Sequence, residues 1–201
     1  MTTIAGVIAL VALAAVIASL GYLHLAPTGL SPVRNAVSQY GITSFRAGYR
    51  VATIAFALAA LALAFGLHRA LQGDGQLRLV VVLLIVFAIA RALITWFPMD
   101  APGTPHTTTG ARHGMLAIVA FAAATIAALR LGSTLSRGMR WHSLAPVSSA
   151  LGWAMLACLL AMALARGAPA LRERFGAIER AFYLAAIAWF GVFGVACLAG
   201  A

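Results

Sequence analysis

The chain is 201 residues long, 63% hydrophobic and only 9% charged, with a mean hydropathy of +1.00. That is too little polar surface to cover a soluble globule of this size, so the composition describes an integral membrane protein. The formal charge of +10 comes from 14 arginines, with no lysine, against 4 acids; the arginines fall mostly between apolar blocks, where anchoring at lipid headgroups accounts for them, and the aromatic-plus-basic surface that nucleic acid requires is missing.

A membrane helix needs about 20 apolar residues, and six stretches meet that length, near residues 4–25, 47–68, 77–97, 112–131, 144–165 and 180–200. The expected fold is all-α: one domain, residues 1–201, a polytopic bundle of six transmembrane helices. The first span has no basic region before it and no small-residue cleavage site after it, and reads as a retained helix. Helix-stopping residues separate the spans: Pro27 with Gly29, Gly73-Asp74-Gly75, Pro98 with Pro102, Gly132-Ser133, and Gly167 with Pro169.

After the first span comes "GLSPVRNAVSQYG". Ser31 suits an N-cap, Pro32 the first helical position, and Gly41 a left-handed helix end. Val33, Val37 and Tyr40 would share one apolar face opposite Arg34, Asn35, Ser38 and Gln39, which predicts a short interfacial helix near 32–40.

Six spans put both termini on one side, called side A here, with the second and fourth loops; the first, third and fifth loops lie on side B. Side B then receives Asp100, Glu173, Glu179, His24, His106 and His113, whereas side A receives Asp74, His68 and His142. The short side A loops carry Arg69, Arg78, Arg130, Arg137 and Arg140. Per residue of loop that side is the more basic, which places side A, and with it the termini, in the cytoplasm of a cell inner membrane by the positive-inside rule, although the raw totals favour side B.

The third span contains Arg91, six residues before its end, about 9 Å inside the side B boundary at the helical rise. A charge at that depth usually faces the bundle interior with a partner; Glu179, entering the sixth span on the same face, is the candidate, and snorkelling to the interface is the alternative. Between the third and fourth spans lies "WFPMDAPGTPHTTTGARHGM", the most polar long stretch of the chain. Thr109 could cap the fourth helix and put His113 in its first turn, where the helix dipole disfavours imidazolium.

Asp100, His106 and His113 form a candidate three-ligand set for zinc with an open position that would activate water, with His24 as an additional ligand. Their spacing matches no established metal motif, and the competing reading has Asp100 capping a helix or pairing with an arginine. The stretch "LRERFGAIERAFY" holds Glu173 and Glu179 among Arg172, Arg174 and Arg180, which reads first as interfacial charge decoration. Asn35 and Ser38 become substrate contacts only if the first loop folds over the mouth of the bundle. The two cysteines sit inside apolar runs and imply no disulfide. Nucleotide-binding, nucleophile-elbow and lipidation motifs are absent from the sequence, and the histidines sit at span ends or in loops, the wrong places for paired haem ligands.

Taken together, "PTGLSPVRNAVSQYG", "FPMDAPGTPHTTTGARHG" and "GAIERAFYLAAIAWF" resemble the bacterial and archaeal family called domain of unknown function 998, over nearly the whole chain. The resemblance implies a multi-pass protein of about six helices. It carries over Pro32, Arg34, Asn35, Ser38 and Gly41, then Pro98, Asp100, Gly110 and His113, then Glu179 and Arg180. A distant analogy is to the alkaline ceramidases and adiponectin-type receptors, similar in placing Ser, Asp and His around a zinc. The chain departs from them in having six spans rather than seven and no late H-x-x-x-H.

Three functions fit this reading. The first is a membrane protein that binds a lipid or small molecule in a polar side B pocket of Asn35, Ser38, Arg91 and Glu179. The second is a metal-dependent hydrolase acting on a lipid substrate, with zinc held by Asp100, His106 and His113. The third is a structural subunit or homo-oligomer joined through small-residue faces such as Gly191 and Gly194.

Overall fold

A computed structural model describes residues 1–71, 75–138 and 140–200. The Gly73-Asp74-Gly75 turn expected between the second and third spans lies, in its first two residues, outside the described part. Among the described residues, six helices are long and apolar enough to cross a membrane, with mean hydropathies of 2.0 to 2.7 over their best windows. They are α1 (Thr2–Leu25), α2 (Arg46–Ala70), α3 (Gly75–Leu93), α4 (Thr108–Leu135), α5 (Ala145–Leu164) and α7 (Phe175–Leu198), with a four-residue turn of helix, α6 (Pro169–Arg172), between the last two. Among the described residues there is no strand. Helices are the expected answer to a solvent without hydrogen-bonding capacity, since each satisfies its own backbone.

The helix ends follow local chemistry. α3 tightens into a 3-10 turn at Ile94–Trp96 before Pro98, whose ring cannot continue the ladder. α4 begins at Thr108, capped by Thr107, whose hydroxyl accepts from the Gly110 N–H at 3.0 Å. The cap is therefore two residues earlier than Thr109, and His113 moves from the first helical turn into the second. At 28 residues, α4 is about 42 Å long and outreaches a hydrocarbon core of about 30 Å.

Each long helix packs on its neighbour in sequence, and α7 packs on α1, closing a ring, with α2 and α7 also meeting across it. Small residues set the closest approaches. A Cβ on Gly6 would run into the backbone of Leu198 and sit 2.8 Å from the Gly194 carbonyl oxygen, so α1 and α7 touch main chain to main chain. The centre is aromatic: Phe56 meets Phe87 and Phe190 edge-on at 5.0 and 4.9 Å between ring centroids, and Phe121 stacks on Phe182 at 4.4 Å. One polar relay crosses it, with Trp189 Nε1 donating to Ser148 Oγ at 2.9 Å and Ser148 Oγ donating to the Ala128 carbonyl at 2.7 Å. That satisfies the indole and ties α7, α5 and α4 together. On side A, Arg140 donates to the Gly200 carbonyl at 3.1 Å and lies over the Trp141 ring.

The first loop differs from its expected form. Residues 32–34 make a turn, Ala36 is extended (φ −60°, ψ 148°), and a 3-10 helix runs over Val37–Ile42. No α-helix spans 32–40, and Val33 is 51% exposed while Val37 and Tyr40 are buried. The physical reason is a distant competitor for the backbone: the Glu179 carboxylate takes the Val37 N–H at 2.7 Å, a group that an α-helix would commit to the Val33 carbonyl. The Val33 carbonyl instead accepts from the Ala177 N–H at 2.9 Å. Gly41 does not adopt the left-handed conformation; its lack of a side chain makes room for the Tyr49 ring, which a Cβ there would meet at 2.9 Å.

Candidate functional site

The first loop is a strap laid over the side B end of α7. Arg180 is its fastener. Its Nη1 donates to the Asn35 carbonyl at 2.8 Å and the Gly176 carbonyl at 3.0 Å, its Nη2 to the Tyr40 hydroxyl at 3.2 Å, and its Nε to His24 Nε2 at 2.6 Å. His24 can accept there because its Nδ1 donates to the Leu20 carbonyl at 2.6 Å, which leaves the lone pair on Nε2. A planar fork with five donors suits this duty, and an ammonium group would not cover four acceptors in fixed directions. Gly176 admits the strap, since a Cβ at that position would collide with the Asn35 carbonyl and lie 2.7 Å from the Pro32 carbonyl oxygen. Within the strap, Asn35 Oδ1 accepts from the Ser31 N–H at 2.7 Å and Asn35 Nδ2 donates to Gln39 Oε1 at 2.6 Å. Ser38 Oγ donates to the Met99 thioether at 3.2 Å, joining strap to third loop.

Beneath the strap lies a buried polar core. Arg91, Glu179 and His113 are 2%, 5% and 5% exposed, so Arg91 does not snorkel. The expected Arg91–Glu179 ion pair is not made: Glu179 is engaged with Val37, and the ion pair found among the described residues joins His106 to Asp100. Arg91 lies against two neighbouring aromatic rings instead, its Cζ 5.9 Å from the Phe56 centroid and 5.5 Å from that of Tyr183, an arrangement that offsets part of the cost of a buried cation. Tyr49, Tyr183, Glu179 and His113 are titratable groups within its electrostatic reach. Three buried polar atoms in this core have no hydrogen-bond partner: Arg91 Nε, the Tyr49 hydroxyl and His113 Nε2.

The polar loop does something different from what a metal site would require. Asp100 Oδ2 accepts from the Thr107 N–H at 3.0 Å and Oδ1 from the Thr107 hydroxyl at 2.6 Å, and Thr107 in turn caps α4. These donors, with the hydroxyl foremost, hold the Asp100 carboxyl below the usual carboxylate range. A Cβ on Gly110 would strike that carboxylate. His106 is fully exposed, 3.7 Å from Asp100, while His113 turns inward and donates through Nδ1 to the Phe97 carbonyl at 2.7 Å. His24 is committed to Arg180. The three expected zinc ligands are thus not gathered at one point, and among the described residues no group of three His, Cys, Asp or Glu is arranged to hold a metal ion. The reason is local: α4 starts early, so Asp100 is spent on its cap and His113 rotates into the bundle.

One prediction follows from the cap. Since the folded Asp100 carboxyl is held down, its contribution is present above the ordinary carboxylate value of about 4 and is lost as pH falls through its lower folded value. Protection of the Gly110 amide, taken relative to its intrinsic exchange rate at each pH, should therefore fall in wild type only in acid, and in Asp100→Asn it should be low at neutral pH as well. Equal protection in the two proteins at neutral pH would refute the relay.

Sequence reasoning located Asn35, Ser38, Arg91 and Glu179 on one face, and the structure assembles Arg91 and Glu179 as core with Asn35 and Ser38 in the strap. It missed Tyr49, Tyr183 and Phe56, whose only signal was their position in the side B halves of their helices. It also undervalued Arg180, which looked like one more interfacial arginine.

Six apolar helices in a closed ring, with a strap and a buried polar core at one end, define a multi-pass membrane protein. The chain matches the family described as "Protein of unknown function (DUF998)" over residues 7–196, and it belongs to that family. No curated protein and no solved structure matches it.

Proposed function

We infer that this protein is a membrane-embedded binding protein that receives a lipid or small molecule in the polar core under its side B strap. The observation that carries the reading is the set of unpartnered polar atoms around Arg91: Arg91 Nε, Tyr49 O–H and His113 Nε2. Buried polar groups in native proteins are nearly always satisfied, and a buried cation with an unpartnered Nε, flanked by two further unpartnered groups, Tyr49 O–H and His113 Nε2, supports a role in recognition. The strap supports the same view, because a segment held by side-chain hydrogen bonds can open without unfolding a helix. Asn35 and Ser38 would then meet the ligand at the mouth, and Arg91 and Glu179 would supply the charges inside. Side A, with Arg69, Arg130, Arg137 and Arg140 in or beside its short loops, would face the cytoplasm. The metal-dependent reading lacks comparable support, since Asp100 and His24 already have structural partners.

The test is native mass spectrometry of protein extracted in a mild nonionic detergent. Wild type should retain one small molecule or lipid per chain, and Arg91→Leu, expressed at the same level, should lose it. A wild-type spectrum of bare chain alone would overturn the proposal.

A further inference from the structure

The chemistry of the buried core narrows its ligand, given the binding reading above. Arg91 is permanently charged and no carboxylate pairs with it, the Glu179 side chain being held by the Val37 N–H. The Phe56 and Tyr183 rings, 6.3 Å apart between centroids, lie next to each other on one side of the guanidinium, and its Nε–H has no partner. Tyr49, close enough to feel that charge, contributes an unpartnered O–H. His113 fixes its Nδ1 on the Phe97 carbonyl and so presents the Nε2 lone pair as an unpartnered acceptor.

We propose that this core is the receptor for the carboxyl head of a single-chain amphiphile. A carboxylate accepts at both oxygens, which suits the guanidinium fork and the phenol. Its negative charge complements a cation that makes no direct ion pair among the described residues. A phosphodiester carries the same charge on a bulkier tetrahedral centre with two ester arms, which asks for more room beside a guanidinium that is 2% exposed than a planar carboxylate does. The apolar chain follows from depth: Arg91 sits about 9 Å inside the side B boundary, where a head delivered from the bilayer comes attached to hydrocarbon.

The experiment measures thermal unfolding and native mass spectra of the full chain with oleate, oleyl alcohol, acetate and dioleoyl phosphatidylglycerol. Oleate should raise the unfolding midpoint and bind one per chain, with the alcohol and acetate inert. Arg91→Gln should abolish oleate binding. Tyr49→Phe keeps the buried ring and removes only the hydroxyl beside Arg91, so it should fold and weaken oleate about tenfold; this variant decides the matter even if Arg91→Gln fails to fold. Oleyl alcohol binding as well as oleate, or oleate binding untouched by Tyr49→Phe, would overturn the proposal. Acetate matching oleate would remove the amphiphile from it. Tighter binding of phosphatidylglycerol with the same loss in Tyr49→Phe would overturn the carboxyl assignment and leave the binding function standing. So would retention of a neutral co-purified molecule with no response to oleate.

Discussion

Gly6→Ile should open the ring. The added side chain begins inside the backbone of Leu198 and 2.8 Å from the Gly194 oxygen, and main chain cannot rotate aside as a side chain can. Overpacking of well-fitted interiors costs about 1 to 3 kcal/mol, and a helix-to-helix backbone contact belongs at the upper end, roughly 3 kcal/mol or above. Gly21→Ile in the same helix is the matched control, because a Cβ there meets nothing within 4 Å, and its change should stay within about 0.5 kcal/mol. Unfolding in detergent with increasing denaturant reads both. Equal midpoints for the two variants would mean that α1 and α7 are not in contact at this point.

Arg180→Ala should free the strap while leaving the six helices in place. It removes four hydrogen bonds from one guanidinium. Bonds to charged groups contribute about 1.5 to 3 kcal/mol each, discounted here because the group is partly exposed. A net loss of about 3 kcal/mol corresponds to exchange on the order of a hundredfold faster at two reporter amides, Val37 N–H, held by Glu179, and Ala177 N–H, held by the Val33 carbonyl. Arg180→Lys should recover only a small part, since one ammonium cannot reach four acceptors. Unchanged exchange at Val37 in Arg180→Ala would show that Arg180 does not fasten the strap.

Much of the architecture was legible from hydropathy, because a membrane span is set by length and apolarity, both local properties. Counting spans also suggests that Asn35, Ser38, Arg91 and Glu179 share one end of the bundle, and the strap does meet Glu179 there. What could not be read were outcomes decided between distant residues. The strap sequence has every local mark of an α-helix, and it is a carboxylate 142 positions away that claims the Val37 N–H. Arg91 was correctly judged to be buried, but its surroundings are rings from α2 and α7 rather than the acid expected, and tyrosines near a helix end carry no mark separating a site residue from an interfacial belt. Asp100, His106 and His113 are kept apart by a shift of two residues in the start of α4, a distance within the usual uncertainty of a helix boundary.

The closure of the ring by its first and last long helices also sets an order of events during synthesis. α1 and α2 can pair as soon as both are in the bilayer, yet the surface of α1 that meets α7 has no partner until residues 175–198 have been made. Arg91 enters the membrane with Phe56 already present but without Tyr183, so the buried cation is least sheltered while the chain is unfinished. The strap, too, has neither Glu179 nor Arg180 to hold it during that interval. Assembly of the polar end is therefore a late step, completed by the same helix that closes the bundle.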